Sequence, residues 1–229
     1  MEKYSMNRLY NFAVVCFLFC LPSVFLLLTG CTSVHTTQEY RAFNLTIEGL
    51  QQHSIAFITP SSITGQEQDR QSLALTFAEV LSEKRPDIRV VTLPETLGAL
   101  NRAGMLGEYK AMYEDYADTG IFDHAVLQKI SELTETRFLA QLKLSSFQQG
   151  STERFGALGL RILETKRANL RIFLQIWDGQ EGIIAWEGYE EVFYANESFS
   201  EKGVMFYDVT RTIAERMIEH IPLKPNSLQ

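Results

Sequence analysis

Two hydrophobic rhythms follow one another along the chain, and they predict different elements. Ile55, Ala56, Phe57 and Ile58 form a short unbroken apolar run, which predicts a strand over residues 53–59 ended by Pro60. A continuous run of this length fits a strand covered on both faces. Leu73, Phe77, Val80 and Leu81 then recur at helical spacing, which predicts an amphipathic helix over 66–84, stopped by Pro86. Residues 88–93 read as a second strand closed by Pro94. Strand, helix and strand in this order favour a parallel pair with a right-handed crossover. A short helix over 95–103 and a longer one over 106–116 follow, and Asp123 caps another that runs to Leu133.

The last third changes period. Phe138, Ala140, Leu142 and Leu144 share one face of a strand over 137–147. Leu170, Ile172, Leu174 and Ile176 alternate with Arg171, Phe173, Gln175 and Trp177, and residues 183–194 form a third such run. Two of these runs flank Asp178-Gly179-Gln180-Glu181-Gly182, a hairpin signal. Trp177 and Trp186 flank that turn, at a distance that lets them pair across it or pack separately. A closing helix carries Phe206, Val209, Ile213, Met217 and Ile221 at steps of three and four, and Pro222 ends it. The expected fold is α/β: a single domain over 51–222 with a mixed sheet packed by helices. The sheet starts with a parallel strand–helix–strand unit and ends in an antiparallel meander. Residues 223–229 form a C-terminal tail.

The N-terminus has another design. Lys3 and Arg8 precede an apolar stretch over 12–28, and Thr29 and Gly30 lead into Cys31. A basic start, an apolar centre and a small-residue exit is the layout of a secretory signal. Leu28-Thr29-Gly30-Cys31 resembles the lipobox of bacterial lipoproteins. The resemblance implies cleavage between Gly30 and Cys31, a diacylglycerol thioether on Cys31, and acylation of the new amine by palmitate or a similar chain. Two or three acyl chains on one residue suffice for stable anchoring. Thr32 follows the cysteine where an inner-membrane retention signal would have Asp. By resemblance to enterobacterial sorting this favours the outer membrane, with the domain in the periplasm. An uncleaved membrane anchor is the alternative. Residues 1–30 are thus read as signal peptide and 31–50, mostly polar, as the lipidated cysteine and a tether.

Composition narrows the function. Cys16 and Cys20 lie in the signal, so the mature chain keeps Cys31 alone, with no disulfide and no thiol chemistry. Removing residues 1–30 takes away Lys3, Arg8 and Glu2 and moves the formal net charge from −7 to −8. An acidic domain is a poor nucleic-acid binder, because neutralising phosphates needs clustered Lys and Arg. The four histidines, His35, His53, His124 and His220, show no zinc-ligand spacing. Glu114, Asp115, Asp118 and Asp123 form an acidic patch without calcium-loop spacing. Glu190 and Glu191 point to opposite faces of a strand, so they cannot work as a pair. No nucleophile elbow or phosphate loop is present. No catalytic residue, metal ligand or cofactor is therefore assigned, and the chain is read as a non-enzyme.

Two stretches suit a partner surface. Residues 150–166 join two predicted strands by more chain than a hairpin needs and include Phe155, Leu158, Leu160, Ile162 and Leu163. They fit a partner-facing or membrane-dipping element, or a short helix covering the sheet. Tyr109, Tyr113 and Tyr116 form a stripe on one helix face that suits an interface or the core.

The order of elements carries a wider resemblance. A strand ending in Pro60, a helix, and a strand near Val90 come first. A helix leading into Thr136-Arg137-Phe138-Leu139-Ala140 and then Ile176-Trp177-Asp178 with Trp186 follow. This resembles the periplasmic α/β lipoprotein superfamily of curli-secretion and penicillin-binding-protein activator lipoproteins, over most of 53–221. It implies a domain that binds an envelope protein or assembles with copies of itself, and no enzyme. The sequence shows no long alternating segments for a membrane-spanning β-hairpin. The leading expectation is a membrane-anchored binding or scaffolding domain. An assembly subunit of a secretion or export complex, and an envelope hydrolase, stand as alternatives.

Overall fold

The computed structural model describes residues 32–62, 67–157, 160–198 and 206–222. Gly30, Cys31 and Leu158, the signal and the tail lie outside the described residues. In chain order the elements are β1 (Thr32–Ala42), α1 (Ile47–His53), β2 (Ile55–Phe57), β3 (Ser61–Ser62), α2 (Glu67–Lys84) and β4 (Val90–Val91), then α3 (Leu93–Arg102), α4 (Leu106–Thr119), α5 (His124–Thr134), β5 (Phe138–Ala157), β6 (Leu160–Asp178), β7 (Ile183–Ser198) and α6 (Phe206–Glu219). One mixed sheet runs β1-β7-β6-β5-β2-β4, and β3 adds to β5. The pairings β2–β4 and β2–β5 are parallel, and the pairings among β5, β6, β7 and β1 are antiparallel. This is the α/β architecture with a parallel start and an antiparallel meander.

Two apolar cores sandwich the sheet. On one face, Phe138, Ala140, Leu142 and Leu144 of β5 and Leu170, Ile172, Leu174 and Ile176 of β6 pack with Trp186 and Val192 under α2 and α6. On the other, Ala56, Ile58, Leu139 and Trp177 pack with Leu100, Met112, Phe122, Leu127 and Ile130 of the α3–α5 region. Strand β2 contributes to both cores, which is why its run is apolar without alternation.

Several expectations need correction. The predicted tether over 31–50 is not an extended linker: Thr32–Ala42 form the edge strand β1 and Ile47–His53 form α1, capped by the Thr46 hydroxyl, which accepts from the Gly49 amide at 3.1 Å. Its polar composition hid it, because its inward side meets a polar network and its other side meets solvent. Residues 150–157 and 160–166 are neither loop nor helix; they continue β5 and β6 as paired antiparallel strands, so the chain does contain long strands of 20 and 19 residues. The second strand is only Val90–Val91, because Thr92, Pro94 and Glu95 start α3; the Thr92 amide donates to the Glu95 carboxylate at 2.7 Å. Trp177 and Trp186 do not pair. An irregularity in register between Ile176 and Trp177 sets Trp177 opposite Ile184, and the two indoles enter different cores.

Candidate functional site

The helices cover the sheet unequally. Helices α3, α4 and α5 lie in sequence between β4 and β5, so they pack over that half of the sheet. Strands β6, β7 and β1 take α6 on their inner face, and no described helix covers their outer face beyond Gln175, which Tyr116 of α4 reaches. The outward positions there form rows across three strands: Gln175, Glu187 and Arg41; then Phe173, Tyr189 and Glu39; then Arg171, Glu191 and Thr37; then Asn169, Phe193 and His35. Phe193 is 43% exposed, and Phe173 and Tyr189 are half-buried with ring centroids 5.3 Å apart.

Charge and aromatic surface are interleaved on this face. The Arg171 guanidinium lies 5.1 Å from the Tyr189 ring centre and 5.8 Å from that of Phe173. Its Nε stands 3.4 Å from a Glu191 oxygen but makes no hydrogen bond, and Asn169 Oδ1 is also without a hydrogen-bond partner among the described residues. Arg41 Nε donates to Glu39 at 2.9 Å, which holds that guanidinium above its ordinary pKa. Gln175 Nε2 donates to Glu187 at 3.4 Å, and its Oε1 accepts from the Tyr116 hydroxyl at 3.3 Å. A cleft of about 240 Å³ is lined by Glu39, Arg41, Phe173, Gln175, Glu187, Gly188 and Tyr189. Guanidinium, carboxylate, amide and aromatic groups in one open cleft can bind a polar partner. They include no nucleophile paired with a base.

The group nearest to a perturbed acid lies on the inner face. Glu190 is fully buried and accepts from Tyr40 Oη at 2.9 Å and Arg216 Nη1 at 3.3 Å. Burial pushes its carboxyl above the ordinary value, against the pull of those two donors. Burial beside Glu190 likewise raises the Tyr40 hydroxyl. Arg216 also donates to Thr36 at 2.9 Å, and the His220 ring stacks on Tyr40 at 4.1 Å. This network clamps β1 and β7 to α6. Both carboxylate oxygens are engaged and closed from solvent, so it is a structural pin.

The residues singled out in the sequence are dispersed. Tyr109 is buried, and its hydroxyl donates to Thr59 Oγ1 at 2.9 Å; Tyr113 donates to the Thr59 carbonyl at 2.5 Å. With Tyr116, stacked on Phe122 at 4.1 Å, they pack the second core, so the stripe is not an exposed partner surface. Phe155 and Leu160 lie near the end of the β5–β6 hairpin. Glu114, Asp115, Asp118 and Asp123 are exposed, and Asp123 caps α5 through the Val126 amide at 2.9 Å. Among the described residues no group of His, Cys, Asp and Glu forms a metal site. The Arg171–Phe173–Tyr189 face was missed, although its signal is present as the polar and aromatic half of the β6 alternation. The Tyr40–Glu190–Arg216 network left no local signal, since its members are far apart in sequence.

No family model and no curated protein matches the chain. Several solved structures are similar to parts of it at low identity. The PelC dodecamer from Paraburkholderia phytofirmans is 12% identical, covers 81% of this chain and 94% of its own, and has a TM-score of 0.40. Lipoprotein GNA1162 from Neisseria meningitidis is 12% identical, with 73% and 99% covered and a TM-score of 0.38. A neuraminyllactose-binding hemagglutinin homolog from Helicobacter pylori is 12% identical, with 79% and 87% covered and a TM-score of 0.36.

Proposed function

We propose that this chain is a lipid-anchored protein of the bacterial envelope that binds or scaffolds another envelope component. Cys31 is its lipidation site, cleavage falls after Gly30, and the domain faces the periplasm from the outer membrane. The observation that carries the binding role is the uncovered face of β1, β7 and β6. Arg171, Phe173, Tyr189 and the Glu39–Arg41 pair make a mixed aromatic and charged surface there. Aromatic and arginine side chains dominate binding energy at interfaces. No described helix is long and apolar enough to cross a membrane, and in this reading the acylated cysteine supplies the anchor. A pull-down of the lipidated form from cells, compared with a Cys31→Ala form, tests this reading. The lipidated form should fractionate with the outer membrane and bring an envelope partner that Cys31→Ala lacks. Equal membrane retention of both forms contradicts the anchor, and absence of any partner contradicts the binding role.

The assembly-subunit reading also has one observation behind it. β1 ends the sheet and presents eleven residues of strand edge to any further strand. Association of the detergent-purified protein into a defined ring favours it, and a monomer at all concentrations removes it.

A further inference from the structure

We infer that the end of the β5–β6 hairpin lies in the lipid leaflet that holds the acyl chains of Cys31. The inference rests on the anchor proposed above and adds a second membrane contact to it. Its warrant is strand register. Thr32, the first residue of β1, pairs with Asn196; Asn196 pairs with Lys166; Lys166 pairs with Ser151. One row of the sheet therefore runs from the neighbour of Cys31 across to β5. β7 is described to Ser198, two residues past this row; β5 continues to Ala157 and β6 starts at Leu160, six residues past it on each strand.

Lengths match a single leaflet. At about 3.3 Å per residue the overhang is about 20 Å long, or about 14 Å deep for a strand tilted by about 45°. The headgroup layer takes roughly 6 Å of this, and about 15 Å of acyl chain lies below it in one leaflet. A crossing strand needs about 9–11 residues, so this hairpin enters without crossing. Free strand edges would also be unsatisfied at the bilayer centre, which keeps the end near the acyl boundary.

The sequence changes character at the matching height. Glu153 pairs with Glu164 two residues past the row, and Arg154, Lys166 and Arg167 are near it in register, at headgroup level. Past this height the described strands carry Phe155, Leu160, Ile162 and Leu163 and one charge, Arg161. An arginine stem is long enough to return its charged head to the headgroups from such a position. The lipid on Cys31 and this apolar end thus belong to the same end of the sheet.

The test uses the full lipidated chain on vesicles of phosphatidylethanolamine and phosphatidylglycerol. Acylation occupies the Cys31 thiol, so Ala157→Cys and Lys143→Cys can each be labelled singly with an environment-sensitive fluorophore. At Ala157→Cys we expect about a two-fold rise in emission on vesicle binding, and stronger quenching by doxyl groups near the headgroup than by doxyl groups at the chain end. At Lys143→Cys, exposed far below the row, we expect neither. Flotation of the protein with vesicles while the Ala157→Cys label stays in water overturns the inference and leaves the anchor intact. Failure of the lipidated protein to float overturns the anchor, and the inference with it.

Discussion

Gly188 marks the point where β1 meets the inner core. A Cβ there would stand 2.5 Å from Tyr40 Cδ1 and 2.8 Å from Trp186 Cη2. The Tyr40 ring cannot retreat, because it is stacked between Trp186 at 5.9 Å and His220 at 4.1 Å. Gly188→Ala should therefore destabilise the domain by about 1–3 kcal/mol, read as a lower denaturant midpoint at unchanged slope. The adjoining Glu190 gives a pH dependence of definite sign. Its native carboxyl is raised above the unfolded value, so its contribution is fully present below the ordinary glutamate range and fades as pH rises through the native value. At neutral pH the buried carboxylate depends on Arg216. Arg216→Ala should thus lose about 1–3 kcal/mol at neutral pH and less near pH ~4, where Glu190 is protonated. Equal losses at both pH values would show that Arg216 acts through packing alone.

Elements whose burial is one-sided or complete were legible in the sequence. β2 and β6, the helices α2, α5 and α6, and the Asp178–Gly182 turn all follow from apolar spacing and turn chemistry. In that turn Asp178 Oδ1 accepts from the Gln180 and Glu181 amides at 3.0 and 3.2 Å, and Oδ2 accepts from Arg137 Nε at 2.9 Å. Gly182 has φ +71°, and an added Cβ would lie 2.7 Å from the His124 ring. Gly182→Ala should cost about 1–3 kcal/mol and loosen the start of α5, which hydrogen exchange at Val126 and Leu127 can read. β1 was illegible because one side faces water and the other a polar clamp, so it lacks apolar alternation. The far half of the hairpin was illegible because Gln148-Gln149-Gly150-Ser151-Thr152-Glu153-Arg154 and Glu164-Thr165-Lys166-Arg167 carry no apolar alternation.

Connectivity decides where the molecule can be touched. The three helices between β4 and β5 cover β2, β4, β5 and the Gln175–Trp177 end of β6. α2 and α6 occupy the opposite face, joined by Arg211 to Glu79 at 3.4 Å and to Glu83. The described helices leave the face of β1, β7 and β6 beyond Gln175 uncovered, and its site was legible only as the polar half of an alternation. Photocrosslinking in intact cells tests the binding role there most directly. A photoreactive residue at Tyr189 or Phe173 should give a discrete adduct with one envelope component. The same residue at Glu79, on the helix-covered side, should give none. Adducts from Glu79 alone, or none from the Tyr189 face in cells that retain the lipidated protein, would contradict the account.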